Sequence, residues 1–190
     1  MTLMTNNNTA VHTTPSLPIS KYGDPVLRKK VDMVDDFTNI PEMAKQMFKT
    51  MKEEHGIGLA ANQLGWSFNL MVIDTSDCEE EADAGIYIFV NSKISETKGE
   101  AIMEEGCLSI PEIRAEIKRP ETIFLEYQDL DQNFHKRYFS GLTSRAIQHE
   151  IDHLNGKLFI DFLPQATRVL LTKRLLEISK MGKPSSGLIL

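Results

Sequence analysis

Hydrophobic residues recur along this chain with two periods, which divide it into predicted helices and predicted strands. A period of four residues is clearest in a row of three methionines, Met43, Met47 and Met51. This row predicts a helix from Pro41 to His55 with one buried face. Asn39 is expected to cap the start of this helix, and Gly56 is expected to end it.

Two further helices are predicted towards the C-terminal end. The first runs from about Ser144 to Leu154 and stops at Asn155-Gly156. The second runs from about Gln165 to Lys180. Its hydrophobic stripe consists of Leu171, Leu175 and Ile178. Its basic residues lie elsewhere on the helix surface and are Arg168, Lys173, Arg174 and Lys180.

The chain between the first two helices predicts strands. The four strand-like segments are Leu70–Asp74, Ile86–Asn91, Thr122–Tyr127 and His135–Tyr138. The order of one helix, several strands and two helices favours an α+β fold over a regular β-α-β array. We therefore predict a single domain whose mixed or antiparallel sheets pack around the central helix at residues 144–154, with one more helix at the C-terminal side.

The length of 190 residues suits one domain with a substantial core. Residues 1–16 are rich in Thr and Asn and have no periodicity, so they predict a flexible N-terminal tail. The folded domain is expected to span residues 17–180, and residues 181–190 are expected to form a C-terminal tail.

Charge and cysteine content argue against several classes of protein. The formal net charge of −6 gives no electrostatic basis for binding nucleic acid. No apolar run approaches the length of a membrane-spanning helix, and the N-terminus lacks the features of a signal peptide. The two cysteines, Cys78 and Cys107, are too few for a disulfide framework. We therefore expect a cytoplasmic protein.

The strongest chemical signal is an H-E-x-x-H pattern, His149-Glu150-Ile151-Asp152-His153, on the predicted central helix. Residues four apart share one face of a helix, so both imidazoles can bind one metal ion. Glu150 follows the first of these ligands and can reach a water on the same ion. The pattern predicts a metal-dependent hydrolase, and two unrelated histidines on one helix are the alternative.

A catalytic site of this kind needs a third protein ligand. Phe159 occupies the position where a metzincin has its third histidine, which excludes that class. Glu177 could be the ligand, as in other zinc proteases, and Cys107 could be the ligand through its thiolate. Cys78 could also complete a closed four-ligand zinc site, which would be structural rather than catalytic.

Three short motifs closely resemble, in their order and spacing, the signatures of the peptide deformylase family. They are Gly56–Gln63, Glu105–Ser109 and Gln148–His153. The resemblance extends from about Tyr22 to Asp161. It implies an enzyme of protein biosynthesis that hydrolyses the formyl group from the N-terminal formyl-methionine of new polypeptides and releases formate.

The resemblance also implies a role for each matching residue. Cys107, His149 and His153 would hold one divalent metal ion, with a water as fourth ligand. Glu150 would take a proton from that water and pass it to the leaving amine. The side-chain amide of Gln63 and the backbone N–H of Leu108 would stabilise the developing oxyanion.

Six residues are expected to contact the substrate, namely Ile57, Gly58, Glu105, Arg114, Leu142 and Ala146. Gly58 has no side chain, so a peptide strand could pair with its backbone beside the ion. Ile57, Leu142 and Ala146 could line an apolar pocket for methionine. Arg114 matches a family arginine that lies near the substrate backbone.

The resemblance further implies a metal and a partner. The family typically uses Fe²⁺, although Zn²⁺, Ni²⁺ and Co²⁺ suit the same ligands. The C-terminal helix of the family can dock on the ribosome near the tunnel exit, and the basic residues of the last predicted helix fit that contact. No membrane contact and no sequence-specific nucleic acid contact are expected.

Overall fold

The computed structural model describes residues 15–78 and 82–181. The predicted N-terminal tail therefore lies outside the described residues except for Pro15 and Ser16, which are exposed. The predicted C-terminal tail lies outside them except for Met181. The domain boundaries stay predictions.

The described part of the chain contains three α-helices, α1 (Ile40–Glu53), α2 (Gly141–Leu154) and α3 (Gln165–Ser179). The predicted stripe of α3 is confirmed, because Leu175 and Ile178 are buried and Leu171 packs beside them. Helix α2 begins three residues before its predicted start. It therefore includes Leu142.

The start predicted for α1 is confirmed to within one residue, with Asn39 at the N-cap position, whereas the predicted end at His55 is two residues too late. The side chain of Asn39 makes no capping hydrogen bond. At the other end the helix stops at Glu53, and His55 adopts the left-handed conformation with φ of 58°. The chain therefore leaves the helical path at His55. The N–H of Gly56 then donates to the carbonyl of Met51 at 2.8 Å.

Within residues 15–78 and 82–181, seven strands form two antiparallel sheets. They are β1 (Gly58–Ala60), β2 (Leu70–Asp74), β3 (Ile86–Lys98), β4 (Ala101–Cys107), β5 (Ile110–Arg119), β6 (Thr122–Gln128) and β7 (Phe134–Phe139). The larger sheet has the order β1-β2-β3-β6-β7, and β4 and β5 form a separate hairpin. The α+β prediction is confirmed, and the four predicted strands are β2, β3, β6 and β7.

The β4–β5 hairpin was missed because its sequence does not alternate simply between apolar and polar residues. On β4 the one fully buried residue is a charged one, Glu105. On β5 the buried Ile110 and Ile113 are three residues apart, because Glu112 between them has a positive φ of 65° and shifts the alternation. A pattern of period two cannot detect such strands.

The core consists of three hydrophobic clusters. Helix α1 packs on β1 and β2 in the first. Helix α2 packs through Ala146, Ile147 and Leu154 on the larger sheet in the second. The β4–β5 hairpin packs on α3 and on the turn Phe159–Phe162 in the third. The helix that bears the H-E-x-x-H motif thus lies between a sheet and a hairpin. No helix within residues 15–78 and 82–181 is long and apolar enough to cross a membrane.

Candidate metal centre

Helix α2 carries both histidines of the motif on its buried side. His149 and His153 lie one turn apart, and their ring centroids are separated by 5.0 Å. Both residues are buried, as is Glu150 between them. The buried side of α2 is not purely apolar, because ionisable groups lie there together with Ala146 and Ile147.

Cys107 is the last residue of β4 and lies beside the two histidines. A β-bulge between Gly106 and Cys107 shifts the hairpin register there. The Sγ of Cys107 lies 3.1 Å from Nε2 of His153. The ligand atoms of Cys107, His149 and His153 all lie within 4.8 Å of one another. This is a group that could hold one metal ion.

Glu105 orients the first histidine of this group. Its Oε2 lies 2.9 Å from Nδ1 of His149. This contact leaves Nε2 of the same ring free to bind an ion together with Cys107 and His153. Arg119 donates to both carboxylate oxygens at 2.6 and 2.9 Å, and Arg145 donates to Oε1 at 3.0 Å. Although burial opposes ionisation, these partners lower the pKa of Glu105 to about 2. The carboxylate is therefore a fixed anion behind the ligand.

This placement corrects one expectation. Glu105 was predicted to contact the substrate, but its side chain is buried and both of its oxygens are engaged within the protein. A substrate cannot replace these partners without uncovering two arginines. We therefore place the Glu105 carboxylate among the groups that orient the ligands.

Glu150 is buried beside the three candidate ligands. Burial raises the pKa of Glu150, and the neighbouring His149 and His153 offset that rise only in part. Its Oε2 is buried and has no hydrogen-bond partner in the described part of the chain. A buried carboxylate oxygen with no partner is costly in free energy.

Gly58 on β1 leaves the space that Glu150 occupies. A Cβ at this position would lie 2.5 Å from Oε1 of Glu150 and 3.1 Å from its Cδ. The Glu150 carboxylate therefore explains why position 58 is a glycine. β1 is also an edge strand of the larger sheet, so a peptide could still pair with its free side.

We expect Gly58→Ala to lower the rate of the hydrolysis that the H-E-x-x-H motif predicts by about 100-fold. A shift of about 1 Å in the position of a catalytic group can cost that much, and Glu150 is the group predicted to transfer the proton. The added methyl group displaces the Glu150 carboxylate but touches none of the three ligands. Metal content measured by mass spectrometry is therefore expected to stay at the wild-type level. Wild-type kcat in a folded variant would show that the position of Glu150 is not critical.

Gln63 lies in a 3-10 turn, Ala61–Leu64, directly after β1 and is fully buried. Its Oε1 accepts from the N–H of Ala60 at 2.8 Å, which fixes the amide orientation. Its Nε2 then donates to Oγ of Ser109 at 3.1 Å and lies 3.8 Å from Sγ of Cys107. The amide N–H groups of Gln63 thus point towards the candidate metal centre.

Leu108 lies in the turn of the hairpin beside Cys107. Its carbonyl accepts from Nζ of Lys21 at 2.9 Å. Its side chain packs against Gly56, where a Cβ would lie 2.8 Å from Cδ1 of Leu108. The Leu108 carbonyl and the Leu108 side chain are therefore each engaged within the protein.

The remaining expected substrate residues surround the centre less closely. Ile57 is 41% exposed, Ala146 is buried in the second cluster, and Leu142 is half-buried on the first turn of α2. The Arg114 side chain is 71% exposed and forms a weak ion pair with Glu104 at 3.4 Å. Their contact with a substrate stays a prediction.

The Cys107 thiol and the His149 imidazole shift each other's pKa in opposite directions. Burial raises the pKa of the Cys107 thiol, but the adjacent His153 and His149 outweigh it and hold that pKa well below the usual value. Burial lowers the pKa of His149, but Cys107 and Glu105 outweigh it and raise that pKa. Nδ1 of His153 is buried and has no partner among the described residues. A thiolate beside two imidazoles is a ligand set that Zn²⁺ and Fe²⁺ accept.

The alternative third and fourth ligands lie elsewhere. The Glu177 side chain is 46% exposed on α3 and pairs with Arg174. Cys78 is not part of the ligand group, although it belongs to the described part of the chain. Phe159 stacks against His149 with ring centroids 6.0 Å apart. The geometry thus favours Cys107 over Glu177 and Cys78.

Sequence reasoning missed four residues around the ligands, namely Ser109, Arg119, Arg145 and Asp152. Asp152 accepts from Nη1 of Arg119 at 2.5 Å, which links α2 to the hairpin. Arg145 and Asp152 lie at i−4 and i+3 from His149 on one helix face, and this spacing was a usable signal. Arg119 and Ser109 had no comparable signal.

Comparison with known proteins identifies the family of the chain. The sequence profile of the polypeptide deformylase family matches residues 16–169. A peptide deformylase of Cytophaga hutchinsonii is 43% identical over 166 residues, which are 86% of this chain and 90% of that protein.

Two solved structures show the same similarity. A peptide deformylase from Thermus thermophilus superposes with a TM-score of 0.80 at 38% identity, covering 88% of this chain and 100% of that one. A peptide deformylase from Synechococcus elongatus in complex with actinonin has a TM-score of 0.77 at 36% identity, covering 87% of this chain and 89% of that one. The chain therefore belongs to the polypeptide deformylase family, the enzymes that remove the N-terminal formyl group from new polypeptides.

Proposed function

We propose that this enzyme deformylates N-terminal formyl-methionine by a metal-dependent hydrolysis in which Glu150 carries the proton. The observation that carries this proposal is the group of three ligand atoms within 4.8 Å of one another, two of them on buried histidines and one on the partly buried Cys107, with a buried Glu150 oxygen beside them that has no partner among the described residues. A closed structural zinc site has no use for such a carboxylate, whereas hydrolysis requires a base.

Cys107, His149 and His153 are the residues that would hold the ion. A bound divalent cation would supply positive charge that lowers the pKa of a water and polarises the formyl oxygen. We propose Fe²⁺ as the resident ion on the ground of the family resemblance, and the same ligand set accepts Zn²⁺, Ni²⁺ and Co²⁺. Glu105 supports this arrangement, because it holds His149 in the orientation that frees Nε2.

Glu150 would act twice in the reaction. It takes a proton from the attacking water while the water oxygen bonds to the formyl carbon. When the C–N bond breaks, Glu150 returns the proton to the departing amine nitrogen, so the products are formate and a free N-terminus. Burial supports this role, since it raises the pKa of Glu150 towards neutrality.

Gln63 and Leu108 would stabilise the negative charge that develops on the formyl oxygen. The Gln63 amide is fixed by Ala60 and Ser109, so its N–H needs no reorganisation during the reaction. The Leu108 N–H belongs to the Cys107–Leu108 peptide, next to a candidate ligand, and the Leu108 side chain packs on Gly56. Gln63 and Leu108 would thus supply two N–H donors to such an oxyanion.

We expect Gln63→Ala to lower kcat by about 100- to 1,000-fold, the usual cost of removing one oxyanion donor. The KM for a formyl-peptide is expected to change little, because the donor is used mainly in the transition state. Ser109→Ala is the graded comparison, since it keeps the Gln63 amide but removes one of the two hydrogen bonds that fix it, and it is expected to lower kcat less than Gln63→Ala does. A raised KM with unchanged kcat in Gln63→Ala would assign Gln63 to substrate binding instead.

We place substrate recognition around β1 and the start of α2. Ile57, Leu142 and Ala146 would line the methionine pocket, and the free edge of β1 at Gly58 would pair with the peptide backbone. Arg114, exposed on the hairpin opposite Gly106, would reach the substrate backbone further from the ion.

The ribosome contact through α3 stays a prediction. Arg174 forms ion pairs with Glu112 and Glu177, so it adds little net charge to the surface. Arg168, Lys173 and Lys180 are exposed and would carry such a contact. The cytoplasmic location also stays a prediction.

The test is formate release from formyl-Met-Ala-Ser by anaerobically purified, metal-loaded protein. We expect stoichiometric formate and free Met-Ala-Ser, and no cleavage of an internal peptide bond. Acetyl-Met-Ala-Ser is the matched control peptide, and it is expected to stay intact. No formate from metal-replete protein would contradict the proposal, and cleavage of internal bonds would indicate an endopeptidase.

A further inference from the structure

The two elements that bear the candidate ligands are held by different hydrophobic clusters. Helix α2, with His149 and His153, packs on the larger sheet. The β4–β5 hairpin, with Cys107, packs on α3 through Ile113 and Ile117. The distance from the cysteine to the histidines therefore depends on contacts across the boundary between α2 and the hairpin.

The contacts across this boundary include a set of polar side chains. Besides the pairs His149–Glu105 and Asp152–Arg119, Nε2 of Gln148 donates to the carbonyl of Pro120 at 2.9 Å. Polar contacts are directional, so they set a spacing more narrowly than apolar packing does.

Arg145 makes more of these contacts than any other α2 side chain described. It is 4% exposed, and it lies one turn before His149 on the same helix face. Its Nη1 donates to the carbonyl of Ile117 on β5 at 2.9 Å and to Oε1 of Glu105 on β4 at 3.0 Å. Its Nη2 donates to the carbonyl of Ala101 at 2.7 Å.

We propose that Arg145 is a positioning residue that sets the spacing between Cys107 and the two histidines, an inference that rests on the proposed metal-dependent function. One guanidinium reaches both strands of the hairpin and also the carboxylate that orients His149. Only arginine can do this, because its planar group presents several N–H donors in fixed directions, whereas lysine presents one compact charge.

Arg145→Met tests the proposal through the metal itself. We expect the variant to lose Zn²⁺ to a chelator about tenfold faster than the wild type, within the range that loss of supporting partners of metal ligands costs. The thiolate absorption band of the Co²⁺-loaded variant is expected to shift. For formyl-Met-Ala-Ser we expect a lower kcat with an unchanged KM, because Arg145 is buried and its N–H groups are engaged within the protein.

Lys118→Met is the matched control. Lys118 lies on the same hairpin, but its side chain is 59% exposed and pairs with Glu100 at the surface. The control is expected to retain wild-type metal loss and a wild-type Co²⁺ spectrum. A purely structural role for Arg145 would lower the thermal unfolding midpoint but leave the Co²⁺ spectrum of the folded protein unchanged.

A folded Arg145→Met variant with wild-type metal loss and a wild-type Co²⁺ spectrum would overturn the proposal. If that variant does not fold, Arg145→Lys decides, since it keeps the charge but cannot satisfy all three acceptors. A faster loss of Zn²⁺ from Arg145→Lys than from the wild type supports the proposal, and a wild-type rate overturns it. Zn²⁺ loss and the Co²⁺ spectrum are measured without turnover. A failure of the proposed deformylation would therefore be seen separately, as the absence of formate release by the wild type.

Discussion

Glu150→Gln is expected to abolish most formate release, with kcat lowered by about 100- to 10,000-fold, the contribution of a positioned general base and acid. The substitution preserves the size of the side chain but removes its ability to accept a proton. It leaves Cys107, His149 and His153 untouched, so the variant is expected to bind one metal ion per chain. The measurement is steady-state formate release together with metal content on the same sample.

Glu104→Gln is the matched control for this prediction. Glu104 also neighbours the centre in sequence, but its side chain is exposed and pairs weakly with Arg114 at the surface. A formate-release rate near that of the wild type is expected. If Glu150→Gln were to retain wild-type kcat with full metal content, another group would have to carry the proton.

Cys107→Ser is expected to lose both metal and activity, whereas Cys78→Ser is expected to lose neither. A serine hydroxyl does not ionise at neutral pH and is a much poorer ligand than a thiolate. The loss of metal affinity is expected to exceed the roughly 10- to 100-fold effect of removing an outer partner of a ligand. Competition with a chromophoric chelator measures the affinity of each variant.

The two cysteine variants, compared with Glu177→Gln, distinguish three kinds of metal site. Metal retained in Cys107→Ser and lost in Glu177→Gln would indicate a zinc protease ligand set. Metal lost in Cys78→Ser together with unfolding would indicate a structural zinc site. The observed geometry opposes both outcomes, because Cys107 joins the two histidines while Glu177 pairs with Arg174 on α3.

The parts of the fold that local patterns determine were predictable. The row of methionines places α1, and the H-E-x-x-H spacing places two ligands on one helix face because the helical period does so in any sequence. Strand β2 has the predicted bounds, Leu70–Asp74, because it is a short apolar run with clear ends. Such signals need no knowledge of tertiary structure.

The features that depend on distant contacts were not predictable. Glu105 meets a histidine 44 residues away, and its role follows from that meeting rather than from its neighbours in sequence. The glycine at position 58 is required by Glu150, which lies on another element. The hairpin that carries Cys107 buries a charged residue on β4, so hydrophobic periodicity could not find it.

The central claim is that Cys107, His149 and His153 share one metal ion at the boundary of α2 and the hairpin. X-ray absorption at the zinc edge of the Zn²⁺-loaded wild type tests it most directly. We predict one sulfur ligand at about 2.3 Å and two imidazole nitrogens at about 2.0–2.1 Å, the usual distances for zinc. An ion shell without sulfur, or with two sulfurs, would contradict this account of the centre.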